Sequence, residues 1–77
     1  MTENELMKEI GKNIEYCIED ARMSQKELAK HINVSESTIS MYIKGERMPT
    51  VKNIINISYA LCCDIEELVG FNDELIE

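Results

Sequence analysis

Five times along the chain, a short oxygen-bearing side chain stands immediately ahead of an amphipathic run: Thr2, Ser24, Ser35, Thr50 and Asp64. Such a side chain accepts from the first free amides of a helix, and a Glu three residues on can answer the cap's own amide. Thr2 with Glu5, Ser24 with Glu27 and Asp64 with Glu67 all have that capping-box spacing. Helix starts this frequent leave room only for short helices and tight turns. The expected fold is all-α, with five helices.

The apolar positions follow the same frame. Leu6, Ile10, Ile14, Cys17, Ile18 and Ala21 recur at three- and four-residue steps, one stripe on a helix over residues 2–21. Leu28 and Ala29 turn the second helix inward. Asn33 and Val34 interrupt the pattern, and Ser35 opens a third helix to about Lys44, where Gly45 can end it. The segment ERMP reads as a loop. After Thr50 a fourth helix directs Val51, Ile54, Ile57, Ser58 and Leu61 inward, and after Asp64 a short last helix does so with Ile65 and Leu68. No strand-like alternation, repeat or low-complexity segment competes with this reading.

Seventy-seven residues make a single domain, with a core over 8–70 and an acidic, apolar tail over 71–77. An apolar share of 44%, three Gly and one Pro suit a packed helical chain rather than a disordered one. No apolar run nears the roughly 18 residues of a membrane span. The start MTENELMKEI lacks the basic-then-apolar layout of a signal peptide, so a cytoplasmic location is expected. Three cysteines, two of them adjacent, make a poor disulfide framework. A metal site from Cys17, His31, Cys62 and Cys63 is conceivable, but buried free thiols at apolar positions are expected instead, with no metal or cofactor. One His, no Gly-rich phosphate loop and no nucleophile paired with a base speak against an enzyme.

A net charge of −7 at first argues against nucleic acid, because phosphate contacts need Lys and Arg. The charges are segregated, however. Residues 1–21 carry two lysines against six acids, and residues 57–77 carry six acids with no Lys or Arg. Residues 22–56 hold Arg22, Lys26, Lys30, Lys44, Arg47 and Lys52 against Glu27, Glu36 and Glu46. The positive third of the chain is the one that holds the second and third helices.

Those two helices are joined by so short a turn that they must cross steeply, with Ala29 as the small residue at the crossing and Ile32, Val34 and Ile39 in the angle. Here the sequence resembles the lambda-repressor-like (Cro/xenobiotic-response-element) helix-turn-helix family. The matching stretches are MSQKELA, VSESTIS, YIKGERMP and then AL…DIEELVG, in order, across roughly residues 8–70. The resemblance implies five helices with the third in the major groove of double-stranded DNA. It explains why that helix is crowded with short hydrogen-bonding side chains, which do not hold the backbone away from the groove floor. Ser37, Thr38 and Ser40 suit base edges, Met41 a thymine methyl and Glu36 a cytosine amino group. On the bland alternative these residues form a solvated face, with Glu36 complementing the helix N-terminus. Gln25 matches the family's phosphate-contacting glutamine. Lys44 and Arg47 flank the end of the recognition helix, Ser35 stands at its start, and Lys26 and Lys30 are further cations that phosphate can use or that merely solubilise the surface.

The chain departs from the family pattern at several places. Ile18 and Ile43 stand where many members pair Arg with Glu, so an apolar contact is expected between the first and third helices. Arg22, Asn33 and Cys62 occupy positions where glycine is frequent, and Ser58 one where alanine is usual. The leading reading is a small sequence-specific transcriptional regulator, a repressor, acting as a homodimer on a pseudo-palindrome and controlled by abundance, a partner or dimerisation. The second reading is a protein-interaction module that keeps the fold and docks a protein partner through its acidic tail, where Phe71, Leu75 and Ile76 are apolar.

Overall fold

The computed structural model describes residues 1–70 and 73–77. It contains α1 (Glu3–Asp20), α2 (Gln25–Ile32), α3 (Glu36–Ile43), α4 (Val51–Leu61) and α5 (Ile65–Val69), and among the described residues there is no strand. Four of the five expected caps form. Thr2 and Ser24 close full capping boxes with Glu5 and Glu27, while Ser35 and Thr50 accept from the amides of Thr38 and Asn53 at 3.1 Å. The Thr2 amide, bonded to the Glu5 carboxylate, holds that carboxyl below its ordinary pKa.

The fifth cap does not form. Asp64 makes no side-chain cap, and the first turn of α5 is closed by the backbone bond from Glu67 N to Asp64 O at 3.0 Å. This five-residue helix is held from outside. Leu68 has no exposed surface, and the Asn13 amide of α1 donates to the Leu68 carbonyl at 2.9 Å.

The core takes one completely buried aliphatic residue from each helix: Ile14, Leu28, Ile39, Ile57 and Leu68. Ile18 is buried with them, and Ile43 packs half-buried against the same cluster. Ser58 is buried, and its hydroxyl donates back along its helix to the Ile55 carbonyl at 2.7 Å. Val51 and Ile65, expected inside, are 77% and 42% exposed, and Ala21 is exposed as the C-cap of α1. All three lie in the first or last turn of a helix or just beyond it, where the stripe outruns the core it covers. Cys62, also expected inside, is exposed as the cap of α4, and Cys63 is only half-buried. Phe71 lies outside the described residues.

One device ends four helices. The amides of Met23, Val34, Glu46 and Cys63 reach back five residues to the carbonyls of Ile18, Ala29, Met41 and Ser58, at 2.9–3.1 Å. In each case the preceding residue is left-handed: Arg22 (φ 55°), Asn33 (φ 58°), Gly45 (φ 70°) and Cys62 (φ 53°). These are Schellman-type ends, in which that position favours glycine. A left-handed Arg or Cys costs about 1–2 kcal/mol, and glycine returns part of the gain as unfolded-state entropy. Arg22→Gly and Cys62→Gly are each expected to raise stability by about 0.5–1 kcal/mol, while Asn33→Gly changes little because Asn tolerates this conformation. Urea unfolding of the three variants checks the order; a larger gain at Asn33 than at Arg22 contradicts it.

Candidate nucleic-acid interface

The turn between α2 and α3 consists of Asn33, Val34 and the cap Ser35, and the two helices pack on each other with Ala29 and Ile39 buried. The inner face of α3 presents Ile39 and Tyr42 to the core. Opposite them, at spacings of three, four and seven from Ser37, stand Ser40, Met41 and Lys44. Ser37 and Lys44 are exposed, and Ser40 and Met41 half-buried. Glu36 and Thr38 fall on the flanks of this outward face.

Hydrogen bonding separates the hydroxyls further. Ser35 Oγ and Thr38 Oγ1 bond each other at 2.8 Å while Ser35 also caps the helix. Ser37 and Ser40 have no side-chain hydrogen bond among the described residues. Nor does any Lys or Arg form an ion pair there; the N-terminal amine with Glu74, 3.0 Å apart, supplies the ion pair that is present. Lys26, Lys44 and Arg47 are exposed, and Gln25 is the first, half-buried residue of α2. Of the residues singled out in the sequence, α3 thus gathers Ser37, Ser40, Met41 and Lys44 on one face. Arg47 follows from the loop, and Gln25 and Lys26 stand at the start of α2.

Three contacts that local sequence patterns do not reveal hold α3 in place. Gly11 of α1 lies against the end of α3. A Cβ on Gly11 would stand 2.6 Å from the Ile43 carbonyl oxygen and closer still to that of Tyr42. At Gly45, a Cβ would lie 2.8 Å from Lys8 Cγ, so the Lys8 stem packs against the turn that ends α3 and adds another exposed cation there. On the other side, Asn53 Nδ2 donates to the buried Tyr42 hydroxyl at 2.8 Å and ties α3 to the first turn of α4. His31, by contrast, is exposed near the end of α2.

Two helices joined by a three-residue turn and packed on each other, α3 also against α1 and α2 against α4, with α5 closing on α1 and α4, define a helix-turn-helix domain. The sequence matches the helix-turn-helix family HTH_3 over residues 14–68, and the chain belongs to this lambda-repressor-like family. It is 32% identical over 65 residues to the HTH-type transcriptional regulator DicA of Escherichia coli (strain K12). The match covers 84% of this chain, which spans 47% of that relative's length. Two crystal structures share the fold. The clp gene regulator ClgR of Corynebacterium glutamicum superposes with a TM-score of 0.79 at 19% identity, over 82% of this chain and 67% of its own. The restriction-modification controller protein C.AhdI of Aeromonas hydrophila gives 0.76 at 22%, over 80% and 94%. No helix among the described residues is long and apolar enough to cross a membrane.

Proposed function

We propose that this chain binds duplex DNA sequence-specifically with α3 in the major groove and represses transcription. The observation that carries the reading is the outward face of α3. Short side chains with no side-chain hydrogen bond among the described residues, Ser37 and Ser40, lie beside the apolar Met41, with the cations Lys44 and Arg47 exposed at the helix end. Short polar groups let a helix approach base edges, and cations at its end meet phosphate. The names of the relatives, each a regulator or controller, support the same class. Selection of bound fragments from a random duplex library tests it. One enriched motif is expected, and recovery of unenriched DNA contradicts the reading.

A single helix-turn-helix covers few base pairs, so a homodimer on a pseudo-palindrome supplies the remaining affinity, with the recognition helices about 34–36 Å apart. The surface assigned to self-association is the outer face of α4 with α5. Val51, Ile55 and Tyr59 recur at four-residue steps, all exposed, and the exposed Ile65 lines the same groove as Ile55 and Tyr59. Buried together, such a stripe removes apolar area from water on both partners. Tyr59→Glu is expected to leave the fold intact and to shift sedimentation from dimer to monomer. A wild-type chain that sediments as a monomer, both free and on its selected DNA, overturns this assignment. The tail belongs less to this surface than its composition suggests. The Met1 amine bonds the Leu75 carbonyl at 3.1 Å as well as Glu74, and the Glu77 amide donates to the Met1 carbonyl at 3.0 Å, so the tail meets the start of α1.

A further inference from the structure

On the side of the molecule where α1 packs against α5, the fold joins groups that are far apart in sequence. Cys17 of α1, Cys63 in the α4–α5 turn and Glu67 of α5 bring two Sγ atoms and a carboxylate oxygen within 4.8 Å of one another. Cys17 is buried, Cys63 half-buried and Glu67 exposed, so the trio has one side open to water. Burial raises the pKa of both thiols, that of Cys63 to about 12. The charged side chains that act on them are carboxylates alone: Asp20, Asp64 and Glu67. Two sulfurs and a carboxylate in an anionic field are a donor set for a thiophilic cation. Cys62, by contrast, is exposed, with its thiol directed to the Tyr59 carbonyl at 3.8 Å, and His31 is not in the cluster.

We propose that Cys17, Cys63 and Glu67 form a binding site for a divalent cation of the zinc class. Zinc takes sulfur at about 2.3 Å and carboxylate oxygen at about 2.0–2.2 Å in a tetrahedron, and ligand atoms already this close need only small side-chain rotations to converge. Both thiols lose their protons to solvent as the cation enters, and no oxidant is required. Water on the Glu67 side fills the fourth position. The bound ion then ties α1 to the α4–α5 turn, next to Ile65 in the surface assigned to self-association.

The test is titration of the reduced, metal-stripped full chain with cobalt(II), followed by displacement with zinc(II). One equivalent of cobalt is expected to produce thiolate-to-metal charge-transfer absorption and the strong visible bands of a tetrahedral site, both bleached by zinc. Zinc is also expected to raise the melting midpoint. Cys63→Ser should weaken zinc by more than the roughly 10–100-fold that loss of an outer-shell partner costs. Glu67→Gln, on the surface and harmless to folding, should weaken it while keeping the thiolate absorption. Cys62→Ser should change neither. Absence of charge-transfer absorption in the wild-type chain overturns the proposal, as does its undiminished intensity in Cys63→Ser or its loss in Cys62→Ser. Circular dichroism of each variant confirms that a lost signal is not lost fold.

Discussion

Gly11→Ala is expected to destabilise the domain by about 2–3 kcal/mol, although alanine is the better helix former by up to about 1 kcal/mol. The added methyl would meet the carbonyl oxygens of Tyr42 and Ile43, which are backbone and cannot rotate aside. The Tyr42 carbonyl already accepts from Gly45 N at 3.1 Å in the turn that ends α3, so it is held from both sides. Relief requires α3 to lift off α1, which opens the core around the fully buried Ile14 and Ile39. Each kcal/mol is worth about 4–8 °C in a domain of this size, so the melting midpoint should fall by roughly 10–20 °C. Because the displaced element is the helix proposed to read DNA, affinity for DNA should fall even at temperatures where the variant remains folded. An unchanged or raised midpoint would mean that α1 and α3 do not approach this closely.

The second large effect divides the outward face of α3 into two roles. Ser37→Ala and Met41→Ala should each cost about 1–3 kcal/mol against the preferred base, with little change on random duplex. Lys44→Ala and Arg47→Ala should weaken binding to every sequence, because phosphate carries no sequence information. For every phosphate that is no longer neutralised, the slope of log K on log salt should flatten by about 0.9, and in a dimer each substitution removes two such cations. Among the described residues neither cation is in an ion pair that has to be broken first, which strengthens the expectation. Binding of all four variants to the selected site and to random duplex, across a salt series, separates the roles. An intact slope for Lys44→Ala, or equal losses on both DNAs for Ser37→Ala, would contradict the division.

The features legible in the sequence are those set within a few residues. The caps at Thr2, Ser24, Ser35 and Thr50 depend on a side chain and an amide three positions away, and all four form. The left-handed ends at Arg22, Asn33 and Cys62 coincide with places where the family favours glycine, even though none of the three is glycine here. Packing between distant segments decides the rest. Gly11 looks like an ordinary weak point in a helix until α3 is laid across it, and Asn53 gains its role from a tyrosine on another helix. Val51 and Ile65 are apolar and correctly spaced, yet the core ends before it reaches them. Among the cysteines, chain spacing speaks against a cluster, whereas the packing of α1 on α5 joins Cys17 to Cys63 and leaves out the adjacent Cys62. The candidate interface is more legible than the packing that holds it, because its residues occupy one short helix and its flanks.

The most direct measurement of whether α3 is the surface that meets DNA is amide chemical-shift mapping during titration with the selected duplex. The largest shifts are expected at Ser37, Ser40, Met41 and Lys44, smaller ones at Gln25, Lys26 and Arg47, and saturation at one duplex per two chains. Tyr59 and Ile65, which the proposed dimer covers before DNA is added, should hardly move. If the shifts instead gathered on the outer face of α4 and on α5, with α3 unperturbed, the reading of α3 as the recognition helix would be wrong.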